Sequence, residues 1–103
     1  MFKILVEGKL VDAASKEDYI EWFSNIRNRR IARDYVNGYL ISTVFVSGVS
    51  YIEPFETMVF ENDDYNGELY RETYTDFKEA KKNHQKIVKD IKEGVLYWEK
   101  EAT

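Results

Sequence analysis

Residues 31 to 47 read IARDYVNGYLISTVFVS and place Asn37-Gly38 between two runs rich in Tyr, Val, Leu and Ile. Asn-Gly is the strongest two-residue hairpin signal, because both residues tolerate the positive φ angles that the tight turn requires. The stretch therefore predicts a strand over residues 31 to 36 that pairs with a strand over residues 39 to 47. The other elements are predicted outward from this hairpin.

Two further strands are predicted on the C-terminal side of the hairpin. Pro54 lacks an amide donor and marks the start of the first strand, which alternates between two faces over residues 55 to 60. A second Asn-Gly pair, Asn66-Gly67, precedes a strand over residues 69 to 74 and predicts another hairpin. The first of these strands is expected to place three residues on one face: Phe55, Thr57 and Val59.

The N-terminal third is predicted to add one strand and one helix. Apolar and polar residues alternate over residues 2 to 9, which is typical of a strand with one buried face. Ser15 followed by Asp18 resembles a capping box, and apolar residues then recur at helical spacing. The pattern predicts a first helix over residues 16 to 30.

A second helix is predicted over residues 76 to 93. Asp76 can cap it, with Glu79 three residues later, and Gly94 lies where a left-handed terminator is expected. The aromatic C-terminal tail is expected to dock on the domain. The element order is β-α-β-β-β-β-α, so we expect a single α+β domain over residues 1 to 103, with an antiparallel sheet of about five strands covered by two helices.

Composition excludes several classes of function. The chain has 103 residues, a formal net charge of -4 and no cysteine, which excludes a disulfide framework, a thiol nucleophile and a Cys-ligated metal. The acidity disfavours a nucleic-acid coat, because nonspecific affinity for phosphates comes from basic side chains. The sequence shows neither a signal peptide nor the roughly 18 apolar residues of a membrane span, so we expect a soluble, intracellular protein.

Acidic residues concentrate in one segment. Residues 53 to 76 contain eight acidic residues against Arg71 alone, a local net charge of -7. Such a surface suits a basic partner, because charge complementarity speeds encounter and sets partner choice. The alternative is a solvated sheet edge. The candidate partner-binding residues are Glu56, Glu61, Asp63, Asp64, Tyr65, Glu68 and Glu72.

Four arginines lie close together around the end of the first predicted helix, and they are Arg27, Arg29, Arg30 and Arg33. Guanidinium groups present forked donors, so the cluster is a candidate anion site for a phosphate or an acidic partner. The alternative is that three of them complement the helix dipole while the fourth protects an edge strand.

His84 is the only histidine and falls on or beside the apolar stripe of the last helix. It can act as a general base or metal ligand, but a half-buried histidine bonded to a neighbouring strand is the favoured interpretation, since no ligand set accompanies it. Asn62 to Gly67 resembles half of a calcium loop, yet Thr73 stands where a bidentate Glu is needed. We interpret this segment as an acidic turn and expect no metal, no cofactor and no catalytic residue.

Two strand motifs resemble small proteins encoded by bacteriophages and prophages, a family without an established activity. The motifs are STVF at residues 42 to 45 and FETMVF at residues 55 to 60, followed by Tyr70, Tyr74, Glu79-Ala80 and His84. The Gly-x-Asp-His element that often follows STVF in relatives is absent. The resemblance implies a noncatalytic, anti-CRISPR-like inhibitor in the cytoplasm of the bacterial host, where its acidic hairpin occupies the basic nucleic-acid-binding groove of a host protein such as a CRISPR nuclease.

Two other functions remain open. One is a phage accessory or assembly protein that forms homo-oligomers through its sheet. The other is a nucleotide or anion binder that uses the arginine cluster. Neither direct nucleic-acid binding nor membrane binding is expected.

Overall fold

The computed structural model describes residues 2–48, 53–61, 64 and 67–99. The elements follow one another in the order β1 (Lys3–Val6), β2 (Lys9–Asp12), α1 (Lys16–Ser24), α2 (Ile26–Arg29), β3 (Arg30–Val36), β4 (Tyr39–Phe45), β5 (Phe55–Glu61), β6 (Glu68–Tyr74), α3 (Phe77–Lys92) and a 3₁₀ helix (Tyr97–Glu99). An antiparallel sheet has the strand order β3-β4-β5-β6, and β1 and β2 form a separate hairpin. The α+β class is confirmed.

The β3–β4 hairpin forms where the Asn-Gly signal predicts it. Asn37 and Gly38 adopt φ angles of 51° and 86°, and Val36 lies opposite Tyr39 across the turn. The next pair of strands is also confirmed. Phe55, Thr57 and Val59 lie on one face of β5, as predicted, and all three are fully buried. Asn66, in the turn predicted between β5 and β6, lies outside the described residues.

The register aligns three polar residues across the centre of the sheet. Thr43 of β4 lies opposite Thr57 of β5, and Thr57 lies opposite Glu72 of β6. Residues directly opposite one another in an antiparallel pair point to the same face. The side chains of all three therefore point to the face that packs against α3.

The strand expected over residues 2 to 9 is wrong, because the chain reverses within it. Glu7 and Gly8 have φ angles of 49° and 80° and form a two-residue turn between β1 and β2. The β1–β2 hairpin is joined to the rest of the domain through the Lys3 amide, which donates to the Gly48 carbonyl at 2.9 Å. The segment predicted as one strand therefore contains β1, the turn and the first residue of β2, and these two strands pair with each other.

The helix predicted over residues 16 to 30 is interrupted at Asn25. Ser15 caps α1 as predicted, since its hydroxyl accepts from the Asp18 amide at 3.1 Å. Asn25 is extended, with φ -92° and ψ 109°, and its side-chain oxygen accepts from the Arg27 amide at 3.0 Å. The Asn25 side chain thus begins a new short helix, α2, and β3 follows directly at Arg30.

The C-terminal helix and tail agree with the prediction. The Asp76 carboxylate accepts from the Glu79 amide at 3.3 Å, and Gly94, with φ 86°, follows the end of α3. Tyr97 and Trp98 of the tail pack against the core. Within the described residues no helix is both long enough and apolar enough to cross a membrane.

The core consists of two apolar clusters between the sheet and its helices. The first contains Val36, Ile41, Val59, Ile87, Val88 and Ile91. The second contains Phe45, Phe55, Tyr74 and Ala80, and the α1 side chains of Trp22 and Phe23 pack against it. On β4, β5 and α3 alike, a buried polar residue falls between members of the two clusters: Thr43, Thr57 and His84.

Candidate functional site

A series of hydrogen bonds crosses the α3 side of the sheet. Asp34 Oδ2 lies 2.7 Å from His84 Nε2, and His84 Nδ1 lies 2.7 Å from Thr43 Oγ1. Thr43 Oγ1 in turn lies 2.5 Å from Thr57 Oγ1. These hydrogen bonds therefore connect, in this order, one residue from each of β3, α3, β4 and β5.

Two further hydrogen bonds lie at the far edge of the sheet, on β6. Tyr74 donates to Glu72 Oε1 at 3.1 Å, and Tyr70 donates to the same oxygen at 3.1 Å. The first series therefore joins α3 to β3, β4 and β5, and the second group lies within β6. We refer to the residues of the first series as the polar chain, and its members are Asp34, His84, Thr43 and Thr57.

Asp34, His84 and Thr43 are connected in the order of an acid, a histidine and a hydroxyl, as in nucleophilic enzymes. His84 and Thr43 are both 0% exposed, so a substrate cannot reach the Thr43 hydroxyl in this structure. The Asp34 side chain is the exposed end, at 46%. The geometry supports the favoured interpretation of His84 as a histidine bonded to a neighbouring strand, but the ring is fully buried rather than half-buried and bonds two strands.

The phenols at the β6 end have raised pKa values. Burial raises the pKa of Tyr74 well above its ordinary value; the nearby Thr57 hydroxyl opposes this shift, and the Glu72 carboxylate adds to it. Burial also raises the pKa of Tyr70, and its hydrogen bond to Glu72 contributes further. Both phenols are therefore kept in the neutral form that donates to Glu72.

We expect the free energy of unfolding to fall as the pH rises above about 10. Burial and the hydrogen bond to Asp90 raise the pKa of Tyr97 to about 12 from an ordinary value of 10.0. A phenol whose pKa is raised by folding gives stability that is complete below the unfolded-state pKa and is lost as the pH rises through the folded-state value. Urea unfolding between pH 9 and pH 12 measures this loss.

The Tyr97→Phe variant is the control for this pH dependence, because phenylalanine cannot ionise. Its free energy of unfolding is expected to fall less steeply than that of the unmodified protein over the same pH range. Equal slopes for the two proteins would contradict the assignment to Tyr97.

The structure distributes the predicted acidic surface over both faces of the sheet. Glu72 lies on the α3 side, where it accepts from the two tyrosines. Glu56 and Glu68 share Arg71, whose Nε lies 3.5 Å from Glu56 Oε2 and 2.7 Å from Glu68 Oε2. A second guanidinium nitrogen of Arg71 bonds Glu68 Oε1, so that pair is bidentate. Arg71 lies opposite Met58 and Glu56 opposite Thr73, which places both on the face away from α3.

Glu61 and Asp64 lie at the end of the β5–β6 hairpin, and both are exposed. The Asp64 amide donates to the Glu61 carbonyl at 2.9 Å, so the chain begins to turn there. Glu68 follows at the start of β6 with its side chain 33% exposed. We refer to these three residues as the acidic hairpin end. Two further predicted contacts, Asp63 and Tyr65, lie outside the described residues.

The Arg29 side chain bonds neighbouring parts of the backbone. Its Nε donates to the Phe23 carbonyl at 2.8 Å, and its guanidinium lies 4.4 Å from the centre of the Phe23 ring. Its second contact, to the Phe45 carbonyl at 3.5 Å, connects α2 to the end of β4. Two of the nitrogens that an anion would need are thus already directed at backbone carbonyls.

The other three arginines differ in position. Arg27 is exposed on α2. Arg30 lies opposite Val44 and Arg33 opposite Ser42, which places both on the face away from α3, together with Glu56. Arg33 donates to the Tyr35 hydroxyl at 3.0 Å. Part of the arginine cluster and part of the acidic segment therefore share one face of the sheet.

Neither the search for metal-ligand groups nor the comparison with known proteins assigns a function. Over residues 2–48, 53–61, 64 and 67–99, no three histidine, aspartate or glutamate side chains are grouped so that they could hold a metal ion. No family model, curated protein or solved structure matches the chain. Function is therefore inferred from the residues themselves.

Proposed function

We propose that the protein is a noncatalytic binding protein whose acidic hairpin end occupies a basic, nucleic-acid-binding surface of a bacterial host protein. This is the activity of an anti-CRISPR-like, phage-encoded inhibitor. The observation that carries the proposal is the exposure of Glu61 and Asp64 at the end of a hairpin. The surrounding segment, residues 53 to 76, contains eight acidic residues and one arginine.

Carboxylates suit such a surface because they can stand in for phosphates. A nucleic-acid-binding groove presents Lys and Arg side chains, and opposite charge on the partner accelerates encounter and selects among partners. Arg71 holds Glu68 in a bidentate pair, and this contact fixes a carboxylate next to the hairpin end before binding. Side chains that are ordered beforehand lose less conformational entropy on association.

The polar chain supports the noncatalytic part of the proposal. The residues that could form a nucleophilic group are enclosed, since Thr43 and His84 are both fully buried. Their bonds link α3 to the sheet, and the acidic hairpin end lies on the exposed surface. The buried titratable group thus stabilises the fold, and the exposed carboxylates provide the surface charge.

Charge reversal at the hairpin end tests this proposal. The tagged protein is used to capture its partner from a bacterial lysate, beside a Glu61→Lys/Asp64→Lys variant. We expect the variant to retain less than about a tenth of the partner, because two attractive charges become repulsive. The amount captured by the unmodified protein is also expected to fall as salt rises from 50 to 300 mM, since exposed charges are screened.

A Glu21→Lys/Glu93→Lys variant is the matched control. Both residues are exposed, and their reversal changes the net charge by the same amount at other places in the fold. The control is expected to capture the partner as the unmodified protein does. An equal loss of captured partner in both variants would mean that binding depends only on net charge. Full capture by both variants would show that the hairpin end is not part of the interface.

A further inference from the structure

The exposed side of α3 carries six lysines. The buried stripe of the helix, which includes His84 and Ile87, faces the sheet. The lysines lie outside this stripe, and all of them are exposed. Against them stand Glu79 and Asp90, so the helix has a net charge of +4. We refer to the six residues as the lysine face, and they are Lys78, Lys81, Lys82, Lys86, Lys89 and Lys92.

The chain neutralises little of this charge by itself. Lys86 pairs with a carboxylate, since its Nζ lies 2.9 Å from Asp90 Oδ2. In the part of the chain that the structure describes, Lys78, Lys82 and Lys89 form no ion pair with a carboxylate. These three side chains therefore present their full charge to the outside.

The lysines are also unfavourable for the helix itself. Lys78 and Lys82 lie four residues apart, as do Lys82 and Lys86, and like charges at this spacing destabilise a helix. Lys78 lies in the first turn of α3, where the positive end of the helix dipole disfavours a cation. Helix stability therefore does not account for the lysine face, whereas the carboxylates of a partner would relieve the repulsion.

The acidic hairpin end lies at the same end of the sheet as the last turn of α3. Asn37, in the β3–β4 turn, donates from its side chain to the Ile91 carbonyl at 3.1 Å. Tyr39, just after this turn, lies opposite Glu61 across the β4–β5 pair. The part of the lysine face around Lys89 and the acidic hairpin end are therefore located at one end of the fold.

We propose that two copies of this chain associate, with the acidic hairpin end of each copy against the lysine face of the other. A two-fold axis forms both contacts at once, so the association closes at a dimer. In each contact Glu61, Asp64 and Glu68 meet side chains of opposite charge. The dimer goes beyond the proposed function and does not depend on it, because no host protein takes part in it.

A second copy fits the lysine face better than a nucleic acid or a membrane does. Either polyanion extends beyond α3 and would also approach the acidic hairpin end of the same molecule, which repels it. Helices that bind membrane surfaces also expose large apolar side chains beside their lysines, and α3, which the structure describes throughout, exposes none. A second copy matches both surfaces, since it brings carboxylates to the lysine face and lysines to the acidic hairpin end.

Sedimentation of the purified protein measures this association without any partner. At 50 mM salt we expect a dimer, and its dissociation constant is expected to rise about tenfold at 500 mM salt because exposed charges are screened. Lys82→Glu/Lys89→Glu and Glu61→Lys/Asp64→Lys are each expected to raise the dissociation constant about a hundredfold at 50 mM salt. Each variant reverses one side of both contacts, so attraction becomes repulsion.

A matched control and a mixture make the result decisive. Lys9→Glu/Lys16→Glu reverses two exposed lysines of the N-terminal third, with the same change in net charge as Lys82→Glu/Lys89→Glu, and is expected to dimerise like the unmodified protein. In an equimolar mixture of the two variants with reversed surfaces, each reversed surface again meets its opposite charge. We expect the mixture to recover a dimer with one copy of each variant, which native mass spectrometry identifies by its mass.

Three results would overturn the dimer. The first is a protein that stays monomeric at 50 mM salt and a concentration of about 1 mM. The second is equal association of all the variants, or a mixture that remains monomeric. The third is a monomer that retains duplex DNA or phosphatidylserine vesicles and loses them in Lys82→Glu/Lys89→Glu, which would assign the lysine face to a polyanion instead.

Discussion

Replacing His84 with alanine is expected to lower the free energy of unfolding by about 3 kcal/mol. The ring is fully buried between the two apolar clusters, so its removal leaves a cavity. It also removes two hydrogen bonds, to Asp34 on β3 and to Thr43 on β4, that attach α3 to the sheet. Urea unfolding at pH 7, followed by circular dichroism, measures the loss.

A neighbouring position on the same helix is the control. Gln85 follows His84 on α3 but is exposed, so Gln85→Ala is expected to change the free energy of unfolding by less than about 0.5 kcal/mol. A His84→Ala protein as stable as Gln85→Ala would show that the polar chain contributes little to the fold.

Replacing Gly48 with alanine is expected to cost about 3 kcal/mol and to release the N-terminal hairpin. A Cβ atom at this position would lie 2.0 Å from the Lys3 carbonyl oxygen and 2.7 Å from Cε1 of the Tyr19 ring. Backbone must therefore move, and two hydrogen bonds depend on its position: the Gly48 carbonyl accepts from the Lys3 amide, and the Gly48 amide donates to the Tyr19 hydroxyl at 3.1 Å. Faster hydrogen exchange at the β1 and β2 amides would report the release.

Gly67 offers the matched control for this substitution. Among the described residues, apart from its chain neighbours, no atom lies within 4 Å of the place where its Cβ would be, so Gly67→Ala is expected to leave both stability and hydrogen exchange unchanged. Protection of β1 and β2 in Gly48→Ala equal to that in Gly67→Ala would contradict the close packing at Gly48.

The elements that could be predicted from sequence carry local signals. The β3–β4 hairpin has its Asn37-Gly38 turn, and α3 has Asp76 as its cap, so neighbouring residues alone specify them. The β1–β2 turn lacked such a signal, because Glu7 is an unusual residue at positive φ. The break at Asn25 was hidden because an Asn side chain can lie inside a helix or begin a new one, and the choice depends on the surrounding packing.

The polar chain could be predicted only in part. Asp34 is 50 positions from His84 in sequence, and no local pattern connects them. Thr43 and Thr57 did offer a signal, since each is a polar residue on the apolar face of its strand. The acidity of the segment was evident from composition, but its division between two faces follows from the strand register, which sets Glu72 opposite Thr57.

The capture experiment tests the central claim most directly when it includes duplex DNA. The proposal predicts that duplex DNA releases the partner held by the unmodified protein, because the two ligands would compete for one basic surface. It should be held weakly or not at all by Glu61→Lys/Asp64→Lys and normally by Glu21→Lys/Glu93→Lys. A partner that stays bound to the unmodified protein in excess DNA, or that binds all three proteins equally, would contradict an acidic hairpin end acting in place of nucleic acid.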